Sequence, residues 1–157
     1  MTPDDMKATL AGMREYFNRS TRPLLEEHSG FAPKDGLFTV AGHVAHVAQT
    51  IEWFFESAFS DSWRMDFEGM DQEVRAVTSL AAARAWLERA VDKAIETATS
   101  HTAEQWASAF PPNPILGEAP RVSIIGAVTD HTAHHRGALT VYQRLLGLEP
   151  PMPYMEG

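Results

Sequence analysis

Apolar residues recur at helical spacing along four stretches of the chain. In the first, Met6, Leu10, Met13 and Phe17 fall three or four positions apart and so share one helix face. Thr2 stands where an N-cap is needed and Pro3 at the first helical position. Asp4 and Asp5 occupy the first turn, where carboxylates complement the helix dipole. This helix is expected to fray near Thr21-Arg22-Pro23. A linker with Gly30, Pro33 and Gly36 leads to Thr39, the predicted cap of a second helix running to about Phe59, with Val40, Val44, Val47, Ile51, Phe54 and Ala58 as its stripe. The third is predicted from about Ser79 to Thr99, its apolar face carried by Leu80, Ala83, Leu87, Val91 and Ile95. The last spans roughly Val122 to Leu146, with Gly147 as its stop before a proline-rich tail.

The segments between these helices read differently. Ser60 to Thr78 mixes Trp63, Met65, Phe67 and Met70 with acidic residues and predicts a packed irregular connection able to cover a cavity mouth. Thr102-Ala-Glu-Gln is a capping-box turn, after which Pro111-Pro-Asn-Pro, Gly117 and Pro120 oblige the chain to loop. Period-two alternation of β-branched residues never lasts more than a few positions. The expected fold is therefore all-α, a four-helix bundle forming one domain over residues 1–157.

Composition narrows the function. With 157 residues, 44% hydrophobic and 22% charged, the chain has the balance of an ordinary globular domain. Thirteen Lys and Arg against 21 Asp and Glu leave a net charge of −8, the wrong sign for gripping a phosphate backbone, so nucleic acid is not an expected partner. The absence of cysteine excludes a disulfide framework, a thiolate zinc site and a cysteine nucleophile, and leaves His, Asp and Glu to hold any metal. Two carboxylates stand where a secretory leader needs cations, and no run approaches the ~18 apolar residues of a membrane span. The expected address is the cytoplasm, without a membrane partner.

The chemistry gathers on histidines. Ile124, Val128, His131, His135, Leu139, Tyr142 and Leu146 follow one face of the last helix, so two histidines occupy core-facing positions. Residues at i and i+4 lie one above the other, and His131 and His135 can aim ring nitrogens at one point, as in helical zinc sites. His134 lies between them and, with Asp130 four residues before it, reads as a surface pair, the alternative being a pair that supports the site from beside it. His43 and His46 sit one turn apart on the second helix. At about 100° per residue, His43 falls nearer the centre of that helix's stripe and His46 on its edge, so periodicity leans to His43 as a third ligand. Buried imidazoles without partners are costly, and a shared metal satisfies them most simply.

Thr39-Val-Ala-Gly-His-Val-Ala-His-Val-Ala followed by Trp53, together with Asp130-His-Thr-Ala-His-His-Arg-Gly-Ala-Leu, Tyr142 and Gly147, resembles the DinB-like superfamily of metal-dependent four-helix bundles. The His-x-x-His-His-Arg-Gly signature is the specific part of the likeness; the match in the second helix is looser. The resemblance implies one divalent metal held by His46, His131 and His135; imidazole ligands suit several metals, with zinc or nickel expected ahead of iron or manganese. The likeness displaces the angular lean and leaves His43 either beside the site or as the fallback ligand. No acidic fourth ligand is visible. The resemblance further implies a small-molecule substrate, a low-molecular-weight thiol among the candidates, and a homodimer.

Three neutral imidazoles leave a divalent ion its full charge and an open position, the pattern of a catalytic site, with hydrolysis and thiol transfer both chemically open to it. Metal binding is expected to weaken below about pH 6, where free imidazole takes up a proton. Trp53, Phe54, Trp63 and Trp106 are expected mainly in the core, with pocket lining as the alternative. Arg136 is expected to pair with a surface acid, the alternative being a substrate carboxylate. No catalytic triad and no phosphate-binding glycine loop occurs. The competing readings are a non-catalytic metal- or small-ligand-binding stress-response protein and a bundle whose histidines bind nothing.

Overall fold

The computed structural model describes residues 1–60 and 62–155. Its helices are α1 (Pro3–Thr21), α2 (Val40–Ser57), α3 (Phe67–Arg75), α4 (Leu80–Ser100), α5 (Ala103–Ala107) and α6 (Ser123–Leu145). The caps follow from the sequence. Thr2 and Asp5 close a reciprocal capping box on α1, the Thr2 side chain accepting from the Asp5 amide while the Asp5 carboxylate accepts from the Thr2 amide. Thr39 caps α2 by accepting from the Gly42 amide at 3.0 Å, and Ser79 caps α4 through the Ala82 amide. Gly147 takes the positive φ of 75° that ends α6.

The stretch from Ser60 to Thr78 departs from the irregular connection expected of it, because it contains α3. Asp66 caps this short helix by accepting from the Gly69 amide, and Met70 and Val74, one turn apart, are buried. Nine residues give too short a stripe for periodicity to stand out, but the cap and the i, i+4 pair suffice once α2 supplies an apolar surface to cover.

Helix α2 packs on both α4 and α6, and α1 packs on the same two, so α1 stands diagonally across from α2 and α4 across from α6. The core they enclose includes Met6, Leu10 and Phe17 of α1, Val44 and Ile51 of α2, Leu87 and Val91 of α4, and Ile124, Val128 and Leu139 of α6. The turn at Thr102 becomes α5, which plugs one end with Trp106: the indole is fully buried and donates its N–H to the Ala98 carbonyl at 3.1 Å. The chain after α6 folds back over α1 and α6, where Arg19 donates to the Pro153 carbonyl and Tyr154 meets Tyr16 edge to face. Among the described residues, no helix is long and apolar enough to cross a membrane.

Candidate metal centre

The seam between α2 and α6 carries His43, His46, His131 and His135. Thr39 fixes where α2 begins and hence the phase at which His43 and His46 emerge one turn apart. Directly opposite, α6 presents His131 and His135, also one turn apart. The Nε2 atoms of His46 and His131 stand 3.2 Å apart. One ring nitrogen from each of His46, His131 and His135 can be chosen so that all three lie within 4.8 Å of one another. His43 reaches the same cluster from behind, its Nδ1 2.9 Å from the Nδ1 of His135.

Burial runs in one direction along the seam. His43 and His135 are each 8% exposed, whereas His46 and His131 are only half-buried. The angular reading, which put His43 nearer the centre of the α2 stripe and His46 on its edge, agrees with this order of burial. The centre of the α2 stripe points to the bundle axis and carries His43 there against His135, while His46 and His131 face each other nearer the edge.

Electrostatics keeps the cluster uncharged. Burial, followed by the proximity of His131, His46 and His43, drives the His135 imidazolium down to about 2. Burial likewise takes His43 and His131 to about 4, with His46 the next cause in each case. His46 is lowered by burial and partly restored by the carboxylate of Asp71 on α3. At neutral pH all four rings are neutral, the form that ligates. The expected onset of proton competition near pH 6 is therefore corrected downwards for the folded chain, because free imidazole is the wrong reference for rings this desolvated.

The donor set fits a divalent ion. Tetrahedral zinc with Zn–N bonds of about 2.05 Å places neighbouring nitrogens about 3.3 Å apart, close to the separation of the His46 and His131 Nε2 atoms. The Nδ1 of His131 is buried without a hydrogen-bond partner, while its Nε2 faces that of His46. Among the described residues no carboxylate joins the three-histidine group.

A model of the DinB family matches residues 9–157. The chain belongs to the DinB family. The match takes in both histidine-bearing helices of this DinB chain. Among curated proteins none matches it.

Sequence reasoning missed part of the DinB site. Phe38 lies against His43 and His46 at ring-centroid distances of 5.7 and 5.1 Å, beneath the Arg75 guanidinium. The signal was present, since Phe38 and His43 flank the Thr39 cap at the positions of a hydrophobic staple. Tyr142 packs edge-on to His43 at 5.0 Å and donates its hydroxyl hydrogen to the Phe38 carbonyl. Asp71 could not be placed near His46 while α3 was read as irregular.

His134 and Asp130 are both exposed, as read from sequence. Phe54 and Trp106 are buried in the core, whereas Trp53 and Trp63 line a cavity of about 330 Å³ with Gln49, Glu52 and Glu73. Among the described residues Arg136 does not pair with an acid as expected; it donates to the Tyr154 hydroxyl at 3.2 Å. The tail carries Tyr154 over α6 in a way that helix periodicity could not foresee.

Proposed function

We propose that His46, His131 and His135 hold one divalent metal ion and that the protein is a metal-dependent enzyme acting on a small molecule, by hydrolysis or by transfer of a low-molecular-weight thiol. The observation that carries this reading is the convergence of three neutral imidazoles, two of them with Nε2 atoms 3.2 Å apart, without a carboxylate in the group. Three protein ligands leave an ion an open position, which distinguishes a catalytic site from a closed structural one. The ion would supply Lewis-acid activation of a water or a thiol.

The chain's own residues supply orientation and access. His43 occupies the Nδ1 side of His135, so Nε2 is the nitrogen of His135 left for the ion. When His135 ligates through Nε2, its Nδ1 carries the hydrogen and donates it to His43, which would fix the tautomer of His135. Phe38 shields the His43 and His46 rings, and the Tyr142 hydroxyl holds the Phe38 backbone in place. His46 and His131 are the half-buried members, so a substrate approaches from their side.

Elemental analysis of untagged protein, wild type against the His131→Ala/His135→Ala double variant, tests this reading. About one metal per chain that vanishes in the variant, with helicity intact, is the expected result. Equal metal content in both, or none in either after reconstitution with zinc, nickel or manganese, would remove the reading.

A further inference from the structure

The geometry points to a second ligand site on the opposite side of α6, between α1 and α6, that takes a small organic carboxylate with an aromatic or apolar body. It goes beyond the metal reading and does not depend on it. A cavity of about 350 Å³ lies there, within the size range of small-molecule pockets, with Gly12 and Tyr16 of α1 on one wall, Thr132 and Arg136 of α6 on the other, and the exposed Tyr154 at its rim. Thr132 and Arg136 directly follow His131 and His135. One residue is about 100° of helix rotation, which turns the histidines to α2 and their successors to α1.

Four features make this a binding site rather than a packing gap. Arg136 has no carboxylate partner among the described residues; it donates one hydrogen bond, to the Tyr154 hydroxyl, and its guanidinium lies 5.6 Å from the centre of that ring. A guanidinium has five N–H donors in a planar fork that matches a carboxylate, and most of Arg136's donors remain open. Tyr16 and Tyr154 meet edge to face at 5.1 Å, an aromatic wall beside that cation. The Thr132 hydroxyl is buried without a partner, although Thr129 on the same wall satisfies its own by donating to the Ile125 carbonyl at 2.8 Å. Finally, Gly12 stands in the interior of α1, where glycine weakens a helix, and a Cβ added there would meet nothing within 4 Å. Close helix packing does not require this glycine; its effect is to keep the cavity open.

Phenylacetate, with phenylacetamide as its neutral counterpart, tests the site on the full chain by amide-resolved NMR titration. Saturable shifts are expected at Gly12, Tyr16, Thr132 and Arg136. Arg136→Gln should weaken phenylacetate about tenfold or more while changing phenylacetamide little, since only the first loses a charge-assisted pair. Gly12→Leu, which favours the helix while filling the cavity, should abolish binding of both with helicity retained. Shifts confined to the histidines, equal affinity for the two probes in wild type, or unchanged binding in Gly12→Leu would each overturn the proposal.

Discussion

Replacing His43 by alanine separates a ligand from a support. In the structure His43 touches the cluster through one contact, its Nδ1 2.9 Å from that of His135. If His43 only orients His135, its loss leaves three ligating nitrogens in place and removes the acceptor that fixes the His135 tautomer. Partners of this kind are worth about 10- to 100-fold in metal affinity, or about 1.4–2.7 kcal/mol. The metal-free fold should suffer as well. An unpaired polar nitrogen on a ring only 8% exposed costs about 1–3 kcal/mol, which in a chain of this size lowers Tm by about 2–12 °C. His43→Gln, whose amide oxygen can accept from His135, should recover most of both losses. Chelator competition gives the zinc affinity, elemental analysis the stoichiometry and thermal denaturation the stability. One metal per chain bound more weakly in His43→Ala, against none in His46→Ala, is the expected pattern. An empty His43→Ala beside a fully loaded His46→Ala would reverse the assignment of the two and refute the reasoning.

Two further outcomes follow from the core and the cluster. In the metal-free protein His43 and His131 titrate near 4 and His135 near 2, against 6.5 for free imidazole, so the unfolded chain binds more protons between those values. Stability is whole above pH 6.5 and falls as pH drops, by up to about 1.4 kcal/mol per pH unit per histidine; a urea midpoint that stays flat from pH 7.5 to about 5 would contradict this. Trp106→Ala removes a fully buried indole and its hydrogen bond to the Ala98 carbonyl, and should cost about 3–5 kcal/mol, read as a fall in the urea midpoint without change in metal content.

The four long helices were legible because each carries its own instructions. Thr2, Thr39 and Ser79 mark starts, Gly147 marks a stop, and the apolar stripes between them are long enough for a 3.6-residue period to show. The short α3 was not, because its stability rests on a surface of α2 that no local pattern announces. The histidines divide in the same way. That His131 and His135 share a face is a property of one helix and can be read from spacing alone. Which histidine of α2 meets which of them depends on how two helices lie side by side, and no spacing within α2 announces that His43 faces His135 while His46 faces His131.

The two faces of α6 make the same point in physical terms. Spacing gives the angles at which His131, Thr132, His135 and Arg136 leave the helix, but an angle becomes an environment only when neighbours are assigned. In this bundle α6 stands between α2 and α1, so a step of one residue moves a side chain from a seam of neutral imidazoles to a cavity holding a guanidinium with no carboxylate partner among the described residues. Keeping these faces separate matters energetically. A guanidinium pressed against the histidine cluster would add a positive charge to rings already driven to the neutral form, and would repel any cation bound there. With Arg136 turned to α1, the seam keeps only neutral donors from α6, and the charge that acts on His46 is the negative one of Asp71. The sign of that charge favours a bound cation, which is why the pairing of Asp71 with Arg75 at 2.7 Å is the surface contact most worth perturbing next: freeing Asp71 should tighten metal binding, and a looser site in Arg75→Gln would show that the arginine, through its place over Phe38, matters more for holding the seam together than for charge.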